Sequence, residues 1–134
     1  YVVFPGQRIM KLESQDTIDF IQELAQASGR VISKYFRNQM VVESKTDDTP
    51  VTIADRQSEL IMRQMIERRF PNHGILGEEF EEVNPGAKYQ WILDPIDGTK
   101  TFVSGTYLFG TLIALLKYGK PIFGAINNPI TKQF

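Results

Sequence analysis

Two aspartates, Asp94 and Asp97, bracket a proline and run into glycine and threonine in Trp91-Ile92-Leu93-Asp94-Pro95-Ile96-Asp97-Gly98-Thr99. The bulky side chains of Trp91-Ile92-Leu93 favour a strand. Pro95, which has no N–H to donate, is expected to force the chain out of the ladder after Asp94. Asp97 then falls where a helix N-cap would sit, with Gly98-Thr99-Lys100-Thr101 as the first helical turn. Such a bend sets carboxylates beside unpaired backbone N–H groups. The oxygens suit a hard divalent cation, and the N–H groups suit a phosphate. The same string is also good turn material, and a capping duty alone would account for Asp97.

Neighbouring residues extend the chemistry. Glu78 ends the short apolar segment Ile75-Leu76-Gly77, and a neighbouring strand would bring it to the same point. At about 5 Å and an effective dielectric of about 20, two unit charges repel by roughly 3 kcal/mol. A divalent ion relieves that repulsion, as does protonation of one group. The Ile96 carbonyl, freed by the bend, offers a further hard ligand. The Gly98 and Thr99 amides stand at a helix start, and Gly98 lets an anion approach the backbone closely. Asp55, in Pro50-Val51-Thr52-Ile53-Ala54-Asp55, reads first as a carboxylate stabilising the start of a helix. Its functional alternative is an acceptor for the Thr99 hydroxyl, letting that hydroxyl orient or deprotonate a metal-bound water. His73, in Pro-Asn-His-Gly, reads as a loop residue, and Lys45 and Glu79 stay open between site and solvent.

Composition narrows the field. The net charge of −1 makes no electrostatic case for nucleic acid or a membrane surface. Without cysteine there is no disulfide, thiol nucleophile or thiolate metal site, and the single histidine rules out polyhistidine zinc sites. A metal would be held mainly by oxygen, which favours Mg²⁺, Mn²⁺ or Ca²⁺. No apolar run approaches the roughly 20 residues that span a bilayer. The first stretch, YVVFPGQR, is interrupted too soon for a signal peptide.

Two helices must position these residues. Ile21, Leu24, Ala25, Ser28, Val31, Ile32, Tyr35 and Phe36 recur at amphipathic spacing, predicting a helix near 16–37 with Asp16 as its N-cap. Gly29 weakens it, by about 1 kcal/mol relative to alanine. Residues 1–15 are expected to be a lead-in, and 40–45 a short strand. A second helix over about 52–70 has Ile53, Leu60, Ile61, Met65 and Phe70 as its apolar face, and Pro71-Asn72-His73-Gly74 stops it. Leu108 to Leu116, apolar almost throughout, predicts a strand buried on both faces. Lys117-Tyr118-Gly119-Lys120 turns it into a returning strand over 122–126. Helices followed by strands give an α+β fold, two long helices on a largely antiparallel sheet, over 16–134.

Taken together, Gly77-Glu78-Glu79, Trp91 to Thr99 and Val51-Thr52-Ile53-Ala54-Asp55 resemble the signature of the inositol monophosphatase family of Mg²⁺-dependent, lithium-sensitive phosphatases. Lys100-Thr101-Phe102, Leu108 to Leu116 and Gly119-Lys120-Pro121-Ile122 are most similar to its histidinol-phosphate phosphatase branch. Asn127-Asn128-Pro129 departs from the Asp-Gln-Pro usual in that branch. The resemblance implies metal ligation by Glu78, Asp94, Asp97 and the Ile96 carbonyl, with two or three Mg²⁺ ions and Mn²⁺ as a substitute. It implies water activation by Thr99 paired with Asp55, and phosphate binding by the Gly98 and Thr99 amides. The expected activity is hydrolysis of a small phosphate monoester, L-histidinol phosphate first. Inositol monophosphate or another sugar phosphate is the alternative, and a non-catalytic scaffold the rival.

The resemblance further implies a homodimer without nucleic-acid or membrane partners, and a cytoplasmic location, or a plastid one in a plant. Family members run on into a second α/β segment bearing another metal-binding aspartate. The chain therefore matches the amino-terminal part of a layered α/β/α/β/α fold, and these 134 residues alone are expected to be inactive.

Overall fold

The structure is a computed structural model, and it describes residues 2–3, 11–36, 53–98, 100, 105 and 109–134. The elements run β1 (Val2–Val3), α1 (Lys11–Tyr35), α2 (Ile53–Arg69), β2 (Gly74–Gly77), β3 (Tyr89–Asp97), β4 (Gly110–Lys117) and β5 (Lys120–Asn127). One five-stranded sheet has the order β1-β5-β4-β3-β2. Every neighbouring pair is antiparallel except β2 with β3, which is parallel. Two helices on a largely antiparallel sheet is the α+β arrangement expected.

The core lies between the helix pair and one face of the sheet. Phe20, Ile21 and Leu24 of α1 and Met62 and Ile66 of α2 meet Trp91, Leu93, Ile113 and Phe123 from the strands. A smaller cluster of Ile32, Ala54, Ile96 and Phe109 lies at the end of the sheet where β3 finishes. The helices touch through small polar groups: the Ser58 hydroxyl donates to the Ser28 carbonyl, 3.3 Å away. Gly29 has a packing reason, since a Cβ there would lie 3.1 Å from the Pro129 side chain. Among the described residues no helix is long and apolar enough to cross a membrane.

Several details differ from expectation. Helix α1 begins at Lys11, so Asp16 lies inside it instead of capping it. Leu12, Glu13 and Gln15 are good helix formers and carry the helix upstream. Val2–Val3 also leave the expected lead-in and pair with Phe123 and Gly124. In α2 the buried face is Ala54, Asp55, Ser58, Glu59, Met62, Arg63 and Ile66, whereas Leu60 is exposed. Apolar periodicity alone misreads this helix, because a paired glutamate and arginine occupy core positions.

Strand β3 does not stop at Asp94. It continues to Asp97 through an irregularity between Asp94 and Asp97, after which Asp97 pairs with Gly110. Pro95 sits where the ladder is interrupted, so its missing N–H costs nothing there. Its carbonyl accepts the Thr111 hydroxyl at 2.7 Å. Strand β4 is buried on one face only: Thr111, Ile113 and Leu115 face the helices, and Leu112 and Ala114 are half-exposed opposite. The expected strand over 40–45, Lys45 and Thr99 lie outside the described residues.

Candidate metal and phosphate site

Each candidate carboxylate sits at the end of an element. Asp55 is in the first turn of α2, Glu78 follows β2, and Asp94 and Asp97 lie at the irregular end of β3. Parallel pairing in the register Gly77↔Leu93 carries the residues that follow, Glu78 and Asp94, to the same sheet end. Glu78 and Asp94 line one open groove. Gly98 follows Asp97 as an exposed turn, and Lys100 is helical. Asp97 is thus the last residue of β3 and not the helix N-cap that was expected, because the strand carries on past Pro95.

The electrostatics show how close the groups are. Burial, then Glu78 and Asp97, push the Asp94 carboxyl up to about 6, against a lowering hydrogen bond from the Ile96 backbone. Burial comes first at Asp55 as well, followed by Glu79, Asp94 and Glu78, and its carboxyl rises to about 8. Asp55 is only 3% exposed. Burial and Glu59 also raise Glu79, which stands 3.8 Å from Arg56. One oxygen, Asp94 Oδ1, is buried with no hydrogen-bond partner. A buried, unpartnered carboxylate oxygen among other carboxylates is a destabilised arrangement unless something positive meets it.

The donor set is all oxygen, as hard cations require. Among the described residues no three carboxylates, histidines or cysteines are gathered into a closed chelating group. Asp94 stands within Coulombic reach of Glu78 and Asp97, and Asp55 within reach of Glu79, Asp94 and Glu78. The set still fits a hard divalent ion, because Asp94 Oδ1 is an oxygen with an unmet need for a cation.

His73 belongs to the scaffold. Its Nδ1 accepts the Trp91 indole N–H at 3.0 Å, and its ring stacks on Phe70 with centroids 4.5 Å apart. Burial lowers its pKa. Sequence reasoning missed Glu59 and Arg63, which hold the turn around Glu78. The available signal was their four-residue spacing on α2, the spacing of a helical ion pair.

The profile of the Inositol monophosphatase family matches residues 13–134. The chain belongs to this family. It is 52% identical over 112 residues to the bifunctional phosphatase IMPL2, chloroplastic, of Arabidopsis thaliana, covering 82% of this chain and 32% of that protein. It is 48% identical over 108 residues to a histidinol-phosphatase of Chlorobaculum parvum, covering 80% and 42%. The structure superposes on that of an inositol monophosphatase from Zymomonas mobilis with a TM-score of 0.76 at 42% identity, covering 88% of this chain and 45% of that one. The chain thus spans less than half the length of these relatives.

Proposed function

We propose that the protein of which this chain forms the matched part is a Mg²⁺-dependent phosphomonoesterase acting on L-histidinol phosphate. The observation that carries the metal reading is the buried, unpartnered Asp94 Oδ1 among Glu78, Asp97 and Asp55. Glu78, Asp94, Asp97 and the Ile96 carbonyl would hold the ion. When bound, Mg²⁺ supplies Lewis-acid activation of water and stabilises charge on the leaving oxygen.

The chain's own groups would do the rest. Asp55, in its ionised form, would accept a hydrogen bond from the Thr99 hydroxyl, and Thr99 would orient the attacking water. The Gly98 and Thr99 amides receive phosphate oxygens. The similarity to a histidinol-phosphatase supports histidinol phosphate as substrate. The likeness to an inositol monophosphatase structure supports inositol monophosphate as the second reading. A homodimer and a cytoplasmic or plastid location complete the proposal.

A panel of histidinol phosphate, inositol monophosphate, fructose bisphosphate and adenosine 3′,5′-bisphosphate on the complete protein tests it. Phosphate release that needs Mg²⁺ and is fastest with histidinol phosphate is expected. Release indifferent to Mg²⁺ overturns the mechanism, and preference for inositol monophosphate selects the second reading.

A further inference from the structure

The turn that presents Glu78 is not held by regular pairing. Strand β2 ends at Gly77, and the chain next returns to it only where Val83 and Ile75 exchange N–H···O bonds of 2.9 Å. Between these points the turn is clasped from α2 below. Glu59 Oε1 accepts the Glu79 N–H, and Oε2 the Phe80 N–H, each at 3.1 Å. Arg63 Nη1 donates to the Glu81 carbonyl at 2.8 Å, and Nη2 to the Phe80 carbonyl at 3.0 Å. The two side chains are joined Nε to Oε2 at 2.9 Å. Both are core residues by burial, at 0% and 5% exposure.

Filling volume does not explain such a pair, since apolar side chains of similar size often serve stability as well or better. Its chemistry matches the turn instead. Two carboxylate oxygens meet two N–H groups. A planar guanidinium meets two carbonyls and the carboxylate through three different nitrogens, a spread that the single nitrogen of a lysine does not offer. Glu78 lies between two residues that meet the Glu59 carboxylate. On one side is Gly77, whose missing side chain leaves room for the Glu59 carboxylate, and on the other is Glu79, whose N–H that carboxylate holds.

We propose that Glu59 and Arg63 are positioning residues for the candidate cation site, fixing the 77–81 turn so that Glu78 stands beside Asp94 before an ion arrives. This rests on the metal-site reading above. Preset geometry of this kind spares the ion from ordering the turn as it binds.

The test uses the complete protein with Mn²⁺ as probe. Binding is measured by calorimetry, and amide exchange is followed in the metal-free state. In Glu59→Gln and Arg63→Lys, Mn²⁺ affinity is expected to fall about tenfold or more. Exchange at the Glu79 and Phe80 amides should quicken while Ile66 in α2 stays protected. Arg63→Lys keeps the charge and serves if Glu59→Gln does not fold. In a Glu78→Gln background the same substitutions should cost less than about twofold, because the ligand they position is gone. Unchanged affinity overturns the proposal. So does an equal loss with and without Glu78, the signature of general destabilisation. A parent protein that binds no Mn²⁺ removes the metal-site reading as well, whereas a parent and variants that bind equally remove this inference alone.

Discussion

Asp94 has half-lost its water without gaining a partner for Oδ1. Asp94→Asn in the complete protein is expected to lower Mg²⁺-dependent phosphate release by roughly 100-fold or more with the circular dichroism unchanged. Undiminished release would take Asp94 out of the ligand set. A second expectation concerns pH. Asp55 and Asp94 titrate near 8 and 6 in the metal-free fold against 3.8 ordinarily. The fold therefore holds protons that the unfolded chain has released, and stability falls as pH rises through these values. His73 acts with the opposite sign, because its lowered pKa makes acid below its ordinary 6.5 destabilising. With a chelator present, the urea midpoint should fall from pH 5.5 to 8 in the parent and fall less in Asp94→Asn. Equal slopes would contradict the account. Mg²⁺ should restore more stability at pH 8 than at pH 5.5.

At the level of elements, Gly77 joins strand to turn. A Cβ there would intrude on the Glu59 carboxylate, which Arg63 and two backbone N–H groups prevent from swinging aside. Gly77→Ala is expected to cost about 1–3 kcal/mol in urea denaturation. A cost near zero would mean the clasp is looser than described. The elements were legible in the sequence to different depths. Spacing was enough for the two helices and the β4–β5 hairpin, because their apolar residues pack on one continuous core. Asp94, Asp97 and Glu78 were legible as acids that one bend and a neighbouring strand would bring together. Asp55 read first as a helix-start carboxylate, and its approach to Asp94 and Glu78 needs the packing of α2 on the sheet. The continuation of β3 past Pro95 was not, because it depends on Thr111 reaching the Pro95 carbonyl from a neighbouring strand. The buried face of α2 was hidden for a related reason. Glu59 and Arg63 look solvent-facing until their partners in the 79–81 turn are known.

On the scale of the molecule, the sheet has, among the described residues, a covered face and an open one. The helices cover the first. The second is an apolar groove of about 890 Å³ whose walls include Leu76, Ile92, Leu112 and Ile126, the last 66% exposed. An apolar surface of this kind invites association. These 134 residues expressed alone are expected to bind ANS and to self-associate with rising concentration, and to release no phosphate. Weak ANS fluorescence and a monomer at all concentrations would contradict this. The matched relatives keep more than half their length outside the aligned portion, chain enough to roof the groove.

The two-residue strand β1 closes onto β5 from the far end of the sequence, Val2 against Gly124. The β3–β4–β5 meander, by contrast, joins segments already adjacent along the chain. Loop-closure entropy then sets an order of assembly, in which the meander and helices collapse first and the amino-terminal edge docks last. Substitutions at Val2 or Val3 should leave the refolding rate nearly untouched and express themselves in faster unfolding.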